Sequence, residues 1–122
     1  MTRVLVVDDE PTVRMLVSEV LIDLGYETIE AKDGVEALAI LRSDRRIDLL
    51  VTDIGLPGGI DGRDLGAAAR SCRPGLRILF ITGYPHMLRG VPDSVDEGVQ
   101  ALAKPFSVQD LAMRISALMR IE

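Results

Sequence analysis

Short apolar runs of strand length recur along the chain, and a charged or hydroxyl-bearing residue directly follows each of the longer ones. The runs are Val4-Leu5-Val6-Val7 before Asp8-Asp9, Leu49-Leu50-Val51-Thr52 before Asp53, Ile78-Leu79-Phe80-Ile81 before Thr82, and Val99-Gln100-Ala101-Leu102-Ala103 before Lys104. Near-continuous apolar runs suit strands covered on both faces, the condition of a parallel sheet. A further short strand is expected over Thr28 to Ala31. Between the runs, apolar residues recur at helical spacing. Val13, Leu16, Val17, Val20, Leu21 and Leu24 form one such set, with Pro11 near its start and Gly25 just past its end. Val35, Ala37, Leu38, Ile40 and Leu41 form a second set after Asp33-Gly34, and Leu65 to Arg70 an alanine-rich third closed by Pro74-Gly75. Val108, Leu111, Ile115, Leu118 and Met119 are expected to form the inward stripe of a last helix.

Strand and helix alternate, so right-handed crossovers and a sheet covered on both sides follow. The expected class is α/β, a doubly wound five-stranded parallel sheet of flavodoxin-like type with strand order 2-1-3-4-5. Its switch point between strands 1 and 3 would set Asp8 and Asp9 beside Asp53. Between Thr82 and Val99, Pro85, Gly90, Pro92 and Gly98 interrupt any pattern, so a helix there should be short and irregular.

The 122 residues suit one domain spanning 1–122. A net charge of −5 argues against a strong grip on nucleic acid, and Arg42, Arg45 and Arg46 read as cations at a helix C-terminus. No apolar run approaches bilayer length, and Met1-Thr2-Arg3 leaves no room for a signal peptide before the first strand, so a cytoplasmic location is expected. Cys72, the single cysteine, reads as a passive thiol.

Three carboxylates at one sheet edge repel one another. Protonation, Lys104 or a hard divalent cation must relieve them. Mg²⁺ is the expected cation, because it accepts a few oxygen ligands, keeps several waters and favours sites that also offer a phosphate oxygen. A carboxylate flanked by metal and lysine can act as a nucleophile toward phosphorus, and Asp53 is the best-placed candidate.

These residues resemble the receiver domains of two-component response regulators, over essentially the whole chain. The resemblance rests on Asp8-Asp9, Asp53, the Leu56-Pro57-Gly58-Gly59 turn with Asp61-Gly62, Thr82, and Lys104-Pro105-Phe106. It implies that Asp53 accepts a phosphoryl group from a phosphohistidine on a partner kinase or phosphotransfer protein, and that this switches the binding of an unknown downstream protein. It further implies that Asp9 binds Mg²⁺ directly and Asp8 mostly through water. Asp53 and the Gly55 carbonyl would add ligands, while Lys104 and the Thr82 hydroxyl hold phosphate oxygens. A cis bond before Pro105 is expected as well. Such a domain catalyses only its own phosphorylation and dephosphorylation and is not a turnover enzyme.

The chain departs from the family pattern after Asp53, where the turn is longer by one residue and its extra glycine suggests a looser loop. Ala101 also stands where the family usually has an aromatic switch residue, three places before the lysine. Tyr84 is the aromatic near enough in sequence to replace it. Phe80-Ile81-Thr82-Gly83-Tyr84 is similar to receivers of hybrid histidine kinases and some single-domain regulators, and partly matches the subclass called FATGUY. Ile81 there replaces an alanine, and the tyrosine comes one place early.

Blander readings compete at each position. Asp9 before Pro11 suits a helix cap, Thr82 a strand end, and His86 a surface loop rather than phosphotransfer. Gly90-Val91-Pro92 is a candidate part of the family's partner-binding face. A phosphate-independent interaction module with the same fold is the alternative function. A phosphatase of the haloacid dehalogenase type would need an acid where Gly55 stands, and no Gly-x-Gly-x-x-Gly follows strand 1. The chain suits equally a stand-alone regulator and a receiver cut from a hybrid kinase.

Overall fold

The computed structural model describes residues 2–89 and 97–119. Five strands, β1 (Arg3–Val7), β2 (Glu27–Ala31), β3 (Leu49–Asp53), β4 (Arg77–Thr82) and β5 (Val99–Ala103), form one sheet in the order β2-β1-β3-β4-β5. Every neighbouring pair is parallel, as expected from the crossovers. Four α-helices lie among the described residues: α1 (Pro11–Asp23), α2 (Gly34–Leu41), α3 (Gly62–Cys72) and α4 (Val108–Met119). A short 3-10 helix, Pro85–Leu88, occupies the irregular stretch after β4, while Gly90-Val91-Pro92 lies outside the described residues. No helix among the described residues is long and apolar enough to cross a membrane.

The strands are apolar on both sides because each feeds two cores. Leu5, Val7, Leu50, Ile78, Phe80 and Val99 pack with Ala37, Leu41, Leu65 and Ala69 of α2 and α3. Their alternates Val4, Val6, Leu49, Val51, Leu79, Ile81 and Leu102 pack on the other face with Val17, Val20, Leu21, Leu111, Ile115 and Leu118 of α1 and α4. A one-residue slip in any central strand would exchange these two sets, so the sheet register is strongly specified.

Some expected core positions are exposed. Val108, the first residue of α4, is 55% exposed, leaving Leu111, Ile115 and Leu118 as the buried line. Leu16 and Leu24 are likewise outside the core, because the face of α1 that meets the sheet is narrower than its apolar stripe.

The turn after Asp53 is anchored on both flanks, with Pro57, Gly58 and Gly59 exposed between them. Leu56 is buried, Ile60 packs against the α2–α3 core, and Asp61 and Asp64 form a reciprocal capping box at the start of α3. Arg73 closes the neighbouring helix by donating from Nε to the Leu41 carbonyl at 2.9 Å and from Nη2 to that of Ser43 at 2.9 Å. The carbonyl of Leu41, the last residue of α2, thus finds its partner on Arg73, the residue just past α3. Within the basic cluster, Arg46 pairs with Asp48 at 3.1 Å.

Candidate functional site

The charged strand ends lie together at the C-terminal edge of the sheet. Asp8 follows β1, Asp53 is the last residue of β3, and Lys104 follows β5. Main-chain ladders extend past the strands to hold these ends in register: Asp8 N–H donates to Ala31 (3.3 Å), Ile54 N–H to Ile81 (3.0 Å) and Lys104 N–H to Thr82 (2.7 Å). The Lys104–Pro105 bond is cis, as expected.

Asp53 is held at three of its oxygens. Lys104 Nζ donates to Oδ2 at 2.9 Å, the Gly55 N–H to Oδ1 at 3.0 Å, and the Thr52 hydroxyl to its carbonyl at 2.9 Å. α3 reaches this strand end so closely that its first residue, Gly62, donates from its N–H to the Ile54 carbonyl at 2.7 Å. A Cβ on Gly62 would overlap the Asp53 carbonyl oxygen and stand 2.6 Å from Ile54 Cα.

Asp8 is 3% exposed, accepts from the Glu10 N–H at 2.9 Å, and has Lys104 Nζ 3.5 Å away. Its carbonyl accepts from Arg14 Nη1 at 2.8 Å, and Arg14 Nε in turn donates to Glu30 at 2.9 Å. Asp9 is exposed, and the α1 cap position, Glu10, has no side-chain cap bond, so Asp9 does not cap this helix. One carboxylate oxygen from each of Asp8, Asp9 and Asp53 lies within 4.8 Å of the others. When all three are ionised, Lys104 compensates one charge of three. An all-oxygen, convergent and over-negative donor set fits a hard divalent cation such as Mg²⁺.

The carboxylates open into a cleft of about 370 Å³ lined by Asp9, Glu10, Asp53, Gly55, Gly83, Tyr84 and Lys104. Thr82 is fully buried and not among the lining residues. Its hydroxyl accepts from the Tyr84 N–H at 3.0 Å and faces the Tyr84 carbonyl at 3.4 Å, closing a local turn. The Tyr84 ring is 63% exposed at the rim and tilts against His86, with ring centroids 6.0 Å apart. Ala101 is buried opposite Phe80, so β5 places no ring between Thr82 and the surface at that position. His86 is exposed, as expected, but on the 3-10 helix Pro85–Leu88 rather than in a loop, and Cys72 is an exposed free thiol.

Two residues of the site, Glu10 and Arg14, carry no motif of their own in the sequence. Glu10 directly follows the recognised Asp8-Asp9 pair, which is the signal that could find it. Arg14 has no such signal, because its role depends on β2 lying beside α1.

Burial pushes the Asp8 carboxyl up from its ordinary value. The Glu10 N–H and the Lys104 charge oppose that shift, and the Asp53 charge adds to it. Burial pulls the Lys104 ammonium down, but its hydrogen bond to Asp53 and the charges of Asp8 and Asp53 outweigh that, leaving it raised. The raised Asp8 value has a definite sign for stability. Below the unfolded carboxylate pKa both states hold the proton and Asp8 has no net effect; as pH rises through the folded value, the unfolded state releases its proton more readily and the fold loses stability. Metal-free protein should therefore become less stable as pH rises through this window, and Asp8→Asn should flatten that dependence and raise the midpoint at neutral pH. Urea unfolding across pH in the presence of a chelator measures both, and an unchanged pH slope in Asp8→Asn would contradict the assignment.

Comparison with known proteins gives a consistent picture. Residues 4–116 match the family model described as response regulator receiver domain. The probable transcriptional regulatory protein TcrX of Mycobacterium tuberculosis is 36% identical over 117 residues, covering 96% of this chain and 49% of that protein. Sensor kinase CckA of Brucella abortus is 34% identical over 119 residues, covering 95% of this chain and 12% of that kinase. This chain thus spans half or less of these relatives. Among solved structures, the receiver domain of hybrid histidine kinase CckA superposes with a TM-score of 0.79 at 36% identity, covering 96% of this chain and 98% of that one. The receiver domain of NtrX from Brucella abortus gives 0.85 at 31% identity, covering 98% and 99%.

Proposed function

The chain belongs to the response regulator receiver domain family of two-component systems, and from that premise we propose that Asp53 is the residue that takes the phosphoryl group. The observation that carries this reading is the placement of Lys104 Nζ 2.9 Å from Asp53 and 3.5 Å from Asp8, at a sheet edge where a third carboxylate converges. Asp53 attacks the phosphorus of a phosphohistidine. An oxygen–phosphorus bond forms, the phosphorus–nitrogen bond breaks, and the donor ring, already protonated at its other nitrogen, leaves with the electron pair as neutral imidazole. Lys104 moves its charge from the bare carboxylate onto the incoming phosphoryl oxygens. The Thr82 hydroxyl, which accepts from the Tyr84 N–H at 3.0 Å, can keep that bond and turn its own O–H from the Tyr84 carbonyl, 3.4 Å away, toward an oxygen of the same group, which ties the main chain at Tyr84 to the event.

Asp9, Asp53 and the Gly55 carbonyl would hold Mg²⁺, with Asp8 acting through water; the ion supplies positive charge against the gathered oxygens. The chemistry of the domain is confined to its own aspartyl phosphate, so it is a switch rather than a turnover enzyme. Residues 1–122 form one receiver unit, at home in the cytoplasm. Receivers of this family work with histidine kinases or histidine phosphotransfer proteins, and such a protein is the proposed donor here, with a protein as the downstream partner.

Incubation with Mg²⁺ and acetyl phosphate should add one phosphate per chain by intact mass. Asp53→Asn should take up none, and a variant still phosphorylated to the same extent would overturn the assignment.

A further inference from the structure

The turn between β3 and α3 exposes Gly55, Pro57, Gly58 and Gly59 but buries Leu56 and half-buries Ile60, two apolar anchors on either side of its glycines. Gly58 (φ +87°) and Gly59 (φ +89°) reverse the chain in the left-handed region, and Ile60 returns to the core beside the first turn of α2. There Gly34 is buried and offers bare backbone. A Cβ on it would stand 2.8 Å from Ile60 Cγ2 and 2.9 Å from Ile60 Cβ. Beyond Ile60 the chain is fixed by the Asp61–Asp64 capping box and by the Gly62 N–H on Ile54. Before it, Leu56 is buried and its N–H donates to the Ile54 carbonyl at 3.0 Å. Gly55 lies inside this braced arc, lines the cleft, and donates its N–H to Asp53 Oδ1.

Two consecutive left-handed glycines have wide conformational freedom, so the arc holds one shape only if something outside the glycines restrains it. We propose that Ile60, seated on Gly34, is a positioning residue that clamps this arc, keeping the Gly55 peptide against Asp53 and so setting metal affinity at the carboxylates. The inference rests on the receiver reading for the metal, but the position of the Gly55 peptide is a property of the metal-free chain. Gly34 accounts for half of the clamp, since any larger residue there lifts Ile60 from its seat.

Amide exchange by NMR on the full chain without metal, followed by Mg²⁺ titration, tests this in Ile60→Ala, Ile60→Val and Gly34→Ala. In Ile60→Ala, exchange of the Gly55 amide should quicken severalfold while amides of β5 keep wild-type rates. Mg²⁺ should bind about tenfold more weakly, as when a group that orients a ligand is lost. Ile60→Val, which keeps a branched side chain in the seat, should restore most of both. Gly34→Ala favours the helix yet displaces Ile60, so it should repeat the Ile60→Ala result in a folded chain and decides the matter if Ile60→Ala fails to fold. Unchanged Gly55 exchange and Mg²⁺ affinity in folded Gly34→Ala, or Ile60→Val as impaired as Ile60→Ala, would overturn the clamp. Wild-type protein that binds no Mg²⁺ would instead overturn the reading of the carboxylates as a metal site, with the Gly55 exchange rates still testing the clamp.

Discussion

Gly62→Ala is expected to lower the thermal midpoint by roughly 10 °C or more, corresponding to about 3 kcal/mol of overpacking in a domain of this size. The added methyl has nowhere to go, since it would overlap the Asp53 carbonyl oxygen and stand 2.6 Å from Ile54 Cα, both backbone. Relief requires the start of α3 to lift from the end of β3. That breaks the 2.7 Å bond from the Gly62 N–H to Ile54 and disturbs a carbonyl that already accepts from the Thr52 hydroxyl. The same movement displaces Asp53, so phosphate uptake should fall together with stability. A midpoint within about 2 °C of wild type by calorimetry would show that the junction has more room than its distances allow.

Lys104→Met should slow aspartyl phosphate formation by about 10²-fold or more, the scale seen when one preorganised charge-stabilising donor is removed. Lys104 is the cation within hydrogen-bond reach of both Asp8 and Asp53, and its side chain is only 23% exposed, so bulk water screens it incompletely. Methionine keeps much of the stem's volume and removes the charge, which separates packing from electrostatics. The Asp8 carboxyl should rise further without its cation, steepening the loss of metal-free stability with increasing pH. Initial rates with acetyl phosphate measure the first effect. A rate within a factor of about two of wild type would mean that Lys104 is not the phosphate-pairing group.

Much of this arrangement is legible in the amino-acid sequence. Asp8, Asp9, Asp53 and Lys104 stand out because strand ends are local signals, and parallel strands bring their ends to one edge whatever their separation in the chain. The lack of an aromatic at Ala101 is equally plain. Other features mislead or stay invisible for physical reasons. The glycines after Asp53 are visible locally, whereas the seat of Ile60 on Gly34 joins two segments far apart in the chain. Val108 reads as core because helical periodicity does not report that the first residue of a helix can lie outside the buried line. Arg14 and Arg73 are anonymous surface cations until β2 and α2 lie beside them.

By itself the amino-acid sequence determined the class of fold and the identity of the residues at the C-terminal sheet edge, because period, turn chemistry and strand ends are properties of short segments, and the doubly wound class made the observed strand order its natural candidate. Only the tertiary structure decided how those residues divide their contacts: Lys104 closer to Asp53 than to Asp8, Asp8 buried while Asp9 is exposed, and the Thr82 hydroxyl tied to the Tyr84 main chain. Those outcomes depend on burial and on ångström distances between segments distant in sequence, and no local pattern encodes either.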